Sequence, residues 1–128
     1  DVDLVLALDQ GNLHDFFEAA WELGLKPALP VTLEELADAG KRAEWIEKRH
    51  MIAFPLAGAE KTVPTVDILI GARISFEDAY VRREIREISG VPVSLAALED
   101  MIALKAQAGR AQDIADIEHL EGCRKADD

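Results

Sequence analysis

Cysteine is almost missing from this chain of 128 residues, and the one that occurs, Cys123, excludes an intramolecular disulfide. With no C-x-x-C partner it excludes a zinc ribbon as well, and a reducing, cytoplasmic compartment is expected. Long apolar runs are missing too. No stretch approaches the roughly 18 residues of a spanning helix, and no basic-then-apolar leader stands at the front, so a soluble, untargeted chain with no membrane partner is expected. Positive charge is scarce: 14 Lys and Arg stand against 25 Asp and Glu, a formal net charge of −11. That balance disfavours broad attraction to nucleic acid or an anionic membrane, both of which need a basic face. There is no internal repeat and no low-complexity segment. No Ser or Cys sits in a nucleophile-elbow motif, and His14, His50 and His119 are scattered, which argues against a nucleophilic triad and places each histidine at the surface or a helix end.

What is present is an ordinary globular composition, 49% hydrophobic and 30% charged, long enough to hold one core without disulfides or a structural metal. A single domain over residues 1–128 is the natural expectation. The opening run Asp1-Val2-Asp3-Leu4-Val5-Leu6-Ala7-Leu8 reads as a strand. Asn12 as N-cap, the apolar spacing of Leu13, Phe16, Phe17, Ala20 and Leu23, and Gly24 as C-cap predict a helix over about 12–23. Pro27 and Pro30 keep the next connection non-helical. Thr32 to Glu35 is a capping box, with Val31 and Leu36 as its hydrophobic staple. Gly40 is expected to end that helix, and residues 41–50 to form a second, mixed-charge one anchored by Trp45 and Ile46.

From Met51 the apolar period shortens. Residues 51–56 and 63–70 read as two antiparallel strands joined by a polar, glycine-containing link, and residues 83–88 as an edge strand, where charge is tolerated. Residues 75–80 form a short helix. Ser94 is expected to cap a helix over about 95–107, and a last helix runs from about 110 to a stop at Gly122. This order predicts an α+β fold: a small mixed β-sheet flanked by helices.

Two features carry chemistry. Strand alternation puts Asp1 and Asp3 on one face, and paired carboxylates are oxygen ligands for a hard divalent cation such as Mg²⁺. A chain of this composition contains about one D-x-D spacing by chance, so a third carboxylate is needed. Asp67 supplies one, set in the most apolar strand, where an ionised group is costly unless paired, hydrogen-bonded or on a metal. On alternation it shares a face with Thr65 and Leu69, while Val66, Ile68 and Ile70 take the other. Lys105 is the second feature. It follows Leu98, Met101 and Ile102 on the apolar stripe of its helix, so it should meet an anion, either Asp67, Asp100 or Asp113 or a phosphate group, or else snorkel past the helix end. Arg110, at the next helix start, is a similar candidate.

Asp1-Val2-Asp3-Leu4, Val66-Asp67-Ile68-Leu69 and the closing run from Ser94-Leu95 through Lys105, Ala108-Gly109-Arg110 and Asp113-Ile114-Ala115-Asp116 resemble, in order and spacing, the nucleotidyltransferase superfamily that includes DNA polymerase beta. The likeness is to the small bacterial nucleotidyltransferases of abortive-infection and toxin–antitoxin systems. It implies Mg²⁺- or Mn²⁺-dependent transfer of a nucleoside monophosphate from an NTP to an acceptor hydroxyl, with pyrophosphate leaving. Asp1, Asp3 and Asp67 would hold the metal, Asp67 would also assist the acceptor's deprotonation, and Lys105 and Arg110 would bind the nucleotide. Asp113 would orient Lys105 or Arg110. The family's Gly-Ser or Gly-Thr loop before the paired aspartates is absent, so an N-terminally truncated chain is expected.

Other D-x-D enzymes fit less well, because in the haloacid-dehalogenase arrangement the carboxylates follow an apolar strand and here they precede it. The same order argues against a glycosyltransferase. The alternative from another class is a catalytically inactive nucleotidyltransferase fold that binds a protein partner of toxin–antitoxin type or forms a homo-oligomer. The acceptor, whether tRNA, protein or small molecule, is not specified by the residues; a large RNA would need Lys41, Arg42, Lys48 and Arg49 to form one basic patch.

Overall fold

The computed structural model describes residues 2–60, 63–109 and 111–127. The chain folds as two compact units, Asp1–Gly71 and Ala72–Asp128. Both mix helix and strand, and the fold is α+β with a small mixed sheet and flanking helices. Among the described residues, no helix is long and apolar enough to cross a membrane.

The first unit holds β1 (Val2–Leu4), α1 (Gln10–Glu22), β2 (Leu25–Pro27), α2 (Leu33–Ala37), α3 (Ala39–Arg49), β3 (Ala53–Gly58) and β4 (Val66–Leu69). The four strands make one sheet in the order β1-β4-β3-β2, with β1 parallel to β4 and the other neighbours antiparallel. Alternation decides its faces. Val66, Ile68 and Ile70 are buried on β4 and its continuation, and Phe54 and Leu56 on β3, so these point to one side and form the core. Ala20 of α1, Leu36 of α2 and Trp45 of α3 complete that core from the helical side, with Phe16, Phe17, Val31 and Leu33 packed against it. Trp45 lies 5.8 Å from Phe54, ring to ring, a separation that adds aromatic attraction to the area buried.

Capping explains the helix boundaries, including two that differ from the sequence expectation. α1 starts earlier than residue 12 because Asp9, not Asn12, is its N-cap. The Asp9 carboxylate accepts from the Asn12 N–H at 2.9 Å, while the Asn12 amide donates to the Ala7 carbonyl at 2.8 Å. The capping box of α2 is present as expected, Thr32 and Glu35 each taking the other's backbone N–H at 3.1 Å. Gly40 does not end α2. Asp38 does, and it also caps α3 by accepting from the N–H groups of Gly40 and Lys41. The connection with Pro27 contains a strand, β2, which the prolines hid; Pro27 is tolerated there because β2 is an edge.

The second unit holds α4 (Phe76–Arg82), β5 (Glu84–Ile88), β6 (Val91–Leu95), α5 (Leu98–Ala108) and α6 (Ala111–Asp127). Here the sequence expectation fails twice. Ser94 caps nothing; it pairs with Ile85 in a two-stranded ribbon, and α5 begins at Leu98 without a side-chain cap. The ribbon prevails because Ser89 and Gly90 both have positive φ, 52° and 81°, as a tight two-residue hairpin turn requires, and Val91 and Val93 favour strand. Residues 84–88 therefore belong to this ribbon and not to the main sheet. Gly122 does not stop α6, which runs on to Asp127; an interior glycine costs only about 1 kcal/mol relative to alanine.

The core of the first unit hinges on Phe54, which is fully buried. Phe54→Ala is expected to cost about 4 kcal/mol, read as a lower urea midpoint for the transition that reports on Trp45.

Candidate functional site

Asp3 and Asp67 come together on the sheet. The parallel pairing of β1 with β4 sets Val2 opposite Val66, Asp3 opposite Asp67 and Leu4 opposite Ile68, and the Val2 N–H donating to the Thr65 carbonyl at 2.9 Å pins that register. Residues in register on neighbouring strands share a face, and the buried side chains of Val66 and Ile68 assign the core to the other one. The two carboxylates thus stand side by side on the face away from the core. Asp3 is exposed and Asp67 half-buried. Pro55 of β3 is the next residue across from Asp67, so the pair borders a proline and not another charge along that row.

Two carboxylates in register on neighbouring strands are of the donor type that a hard divalent cation takes. Among the described residues no group of three or more His, Cys, Asp or Glu gathers to hold a metal. Asp1, the third ligand expected from the sequence, lies outside the described residues, as does Arg110.

Lys105 behaves as its place on the apolar stripe required: it meets anions. Its ammonium lies 3.5 Å from the Asp113 carboxylate and 3.1 Å from that of Asp116, tying α5 to α6. Asp113 is almost completely buried, at 1% exposure, and a buried carboxylate needs such a counter-charge. Asp113 was among the anions considered from the sequence. Asp116 was not anticipated, although its spacing of three from Asp113 on one helix gave the signal. A hydrogen bond from the Gln112 amide, followed by one from Lys105, holds the Asp116 carboxyl below its ordinary value of 3.8.

A second buried carboxylate, considered from the sequence as a partner for Lys105, has a different cation that the sequence did not suggest. Asp100 on α5 receives two hydrogen bonds from the Arg82 guanidinium, at 3.1 and 2.8 Å, a bidentate fork that raises the Arg82 pKa through that hydrogen bond. Eighteen residues separate the partners, so no local spacing announces them.

The other candidate features are occupied by local structure. An open cleft of about 440 Å³ in the first unit is lined by Asp9, Glu34, Asp38 and Arg42 among others. Its Asp9 and Asp38 cap helices, and Arg42 donates to the Leu36 carbonyl at 2.7 Å. His14 lies 3.3 Å from Glu18, His50 closes α3 in a left-handed conformation, and His119 lies 3.9 Å from Cys123. All three histidines are exposed, on separate elements.

No family model, curated protein or solved structure matches the chain.

Two outcomes are expected for the α5–α6 pairings. Lys105→Met, which keeps the aliphatic stem but removes the charge beside buried Asp113, should cost about 2 kcal/mol in urea unfolding. A carboxyl whose folded pKa is depressed contributes stability above its unfolded pKa and loses it as the pH falls through the folded value. The contribution of Asp116 should therefore be intact above about pH 4 and fade below it. Gln112→Ala should move the Asp116 titration upward toward 3.8, as followed by carboxyl NMR.

Proposed function

We propose that the chain is a nucleotidyltransferase-like domain that binds Mg²⁺ or Mn²⁺ and moves a nucleoside monophosphate from an NTP to an acceptor hydroxyl. The observation that carries this reading is the register that sets Asp3 beside Asp67 on the face of the sheet away from the core. Two carboxylates 64 positions apart in the numbering are brought into adjacency by one parallel strand pair, with the D-x-D on the first strand and the isolated Asp on the second, the order the superfamily shares. Such a pair is a liability for a purely structural sheet, because like charges directly opposite each other on neighbouring strands repel. A bound dication reverses that sign.

Asp3 and Asp67 would hold the cation, joined by Asp1 from the same strand face on alternation. When bound, the metal supplies positive charge that neutralises the transferring phosphoryl group and lines up its entering and leaving oxygens. The contribution of the chain's own groups is placement. β1 and β4 fix the carboxylates through backbone hydrogen bonding, and a rigid pair costs little reorganisation at the moment of reaction. Asp67, the less exposed of the two, would be the group that assists the acceptor's deprotonation, as the resemblance implies. By the resemblance, Lys105 and Arg110 would bind the nucleotide, and within the second unit Asp113 and Asp116 would orient the Lys105 ammonium.

Thermal shift and product formation together test this. Mg²⁺ or Mn²⁺ with a saturating NTP should raise the melting temperature of the parent by several degrees, as binding at about a hundred times Kd contributes about 2.7 kcal/mol. Asp3→Asn and Asp67→Asn should abolish that shift and lower pyrophosphate release about a hundredfold or more. Absence of any shift in the parent, combined with an Asp67→Asn variant at least as stable as the parent, would sink the catalytic reading.

A further inference from the structure

The ribbon of the second unit has two outer edges, and they are not equivalent. Its two-residue turn makes Ile88 and Val91 a hydrogen-bonded pair, and alternation then makes Glu87–Pro92 and Ile85–Ser94 the non-hydrogen-bonded pairs. Pro92 fits that position because it has no N–H to offer. It also follows that the backbone groups of Pro92 and Ser94 face out along the β6 edge, while those of Ile85 and Glu87 face out along the β5 edge. The β6 edge is thus blunted by a proline. The β5 edge keeps its donors and acceptors, every residue of β5 is exposed, and Ile85 is 57% exposed.

Charged residues on an edge strand usually repel other strands. Here their order is self-complementary. Arg83-Glu84-Ile85-Arg86-Glu87 reads plus, minus, neutral, plus, minus; inverted about Ile85 and laid antiparallel to itself, every charge meets its opposite. We propose that the β5 edge docks on the β5 edge of a second copy of this chain, antiparallel and centred on Ile85, joining two ribbons into one four-stranded sheet. Glu84 of each copy then faces Arg86 of the other, Arg83 faces Glu87, and the two Ile85 side chains meet at the two-fold axis.

The outward parity of Ile85 is what makes the register workable. Two bonds form between the Ile85 N–H of one copy and the Ile85 carbonyl of the other, and two more run from Glu87 N–H to Arg83 carbonyl. The Arg83 N–H itself is already engaged by the Tyr80 carbonyl at 3.3 Å and is not needed. Sliding the register by two residues in either direction keeps the parity but sets Glu84 against Glu84 or Arg86 against Arg86, and like charges directly opposite are destabilising. Glu84 and Arg86 already pair within one strand at 2.9 Å on one face. A second copy would extend that pair into an alternating square of four charges. The inference is independent of the reading given to Asp3 and Asp67.

Sedimentation equilibrium on the full chain tests it. The parent should show reversible monomer–dimer association. Glu84→Arg and Arg86→Glu should each weaken it about tenfold, and the double swap E84R/R86E, which restores complementarity with signs exchanged, should bring it back to within about threefold of the parent. A parent that stays monomeric up to about 1 mM, single reversals that leave the dissociation constant unchanged, or a double swap as weak as the singles would each overturn the proposal. Hydrogen exchange on the parent requires no variant. Raising the protein concentration should slow exchange at the Ile85 and Glu87 amides and leave the Arg86 amide, already bonded to β6, unchanged; equal behaviour at all three overturns the register.

Discussion

Alternation along β4 is the constraint from which the arrangement of the first unit follows. Three branched apolar residues, Val66, Ile68 and Ile70, must reach the core against Phe54, Leu56 and Trp45. With a side-chain period of two, that requirement leaves Asp67 no choice of face, and a one-residue slip would bury the carboxylate and expose the isoleucines. The same requirement acts on β1 through Leu4, which packs against the core and so fixes Asp3 on the side of Asp67. Hydrophobic burial therefore positions the charged pair. The carboxylates are placed by what lies behind them.

The two units are held by different forces. In the first, fully buried aromatic and aliphatic side chains carry the stability, and burial of one such residue contributes about 1.5–3 kcal/mol. In the second, the buried residues among those described are Ala79, Asp100 and Asp113, and the helices are tied by Arg82–Asp100 and by Lys105 with Asp113 and Asp116. Buried ion pairs specify geometry more than they stabilise, because desolvation offsets much of the Coulomb attraction. In the second unit the acid-sensitive tie is the one made to Asp116, whose carboxyl Gln112 and Lys105 hold below its ordinary value.

The ribbon illustrates the same division between placement and energy. A two-stranded hairpin is marginal by itself in water, and the exposed Ile85, Ile88 and Val91 gain nothing from the ribbon alone. Pro92 protects one edge from added strands, while the charge order along β5 makes the other edge selective for its own inverse. One strand pair can thus be closed to most partners and open to one.

Local chemistry in the sequence determined a good part of this protein. The Thr32–Glu35 capping box, the left-handed Gly24 after α1, the antiparallel β3–β4 pair, the face of Asp67 and the inward placement of Lys105 all rest on interactions within a few residues or on a simple period. The tertiary structure decided what depends on distant partners. It chose Asp9 over Asn12 as a cap and gave Asp38 to two helices, since several residues in each turn have capping side chains and only the packed geometry selects one. It placed residues 84–88 in a ribbon with β6, because a short alternating strand carries no label for its partner. It also brought Arg82 to Asp100 and Asp3 to Asp67, pairs separated by long stretches of chain, whose adjacency is a property of strand register and helix packing that no local pattern encodes.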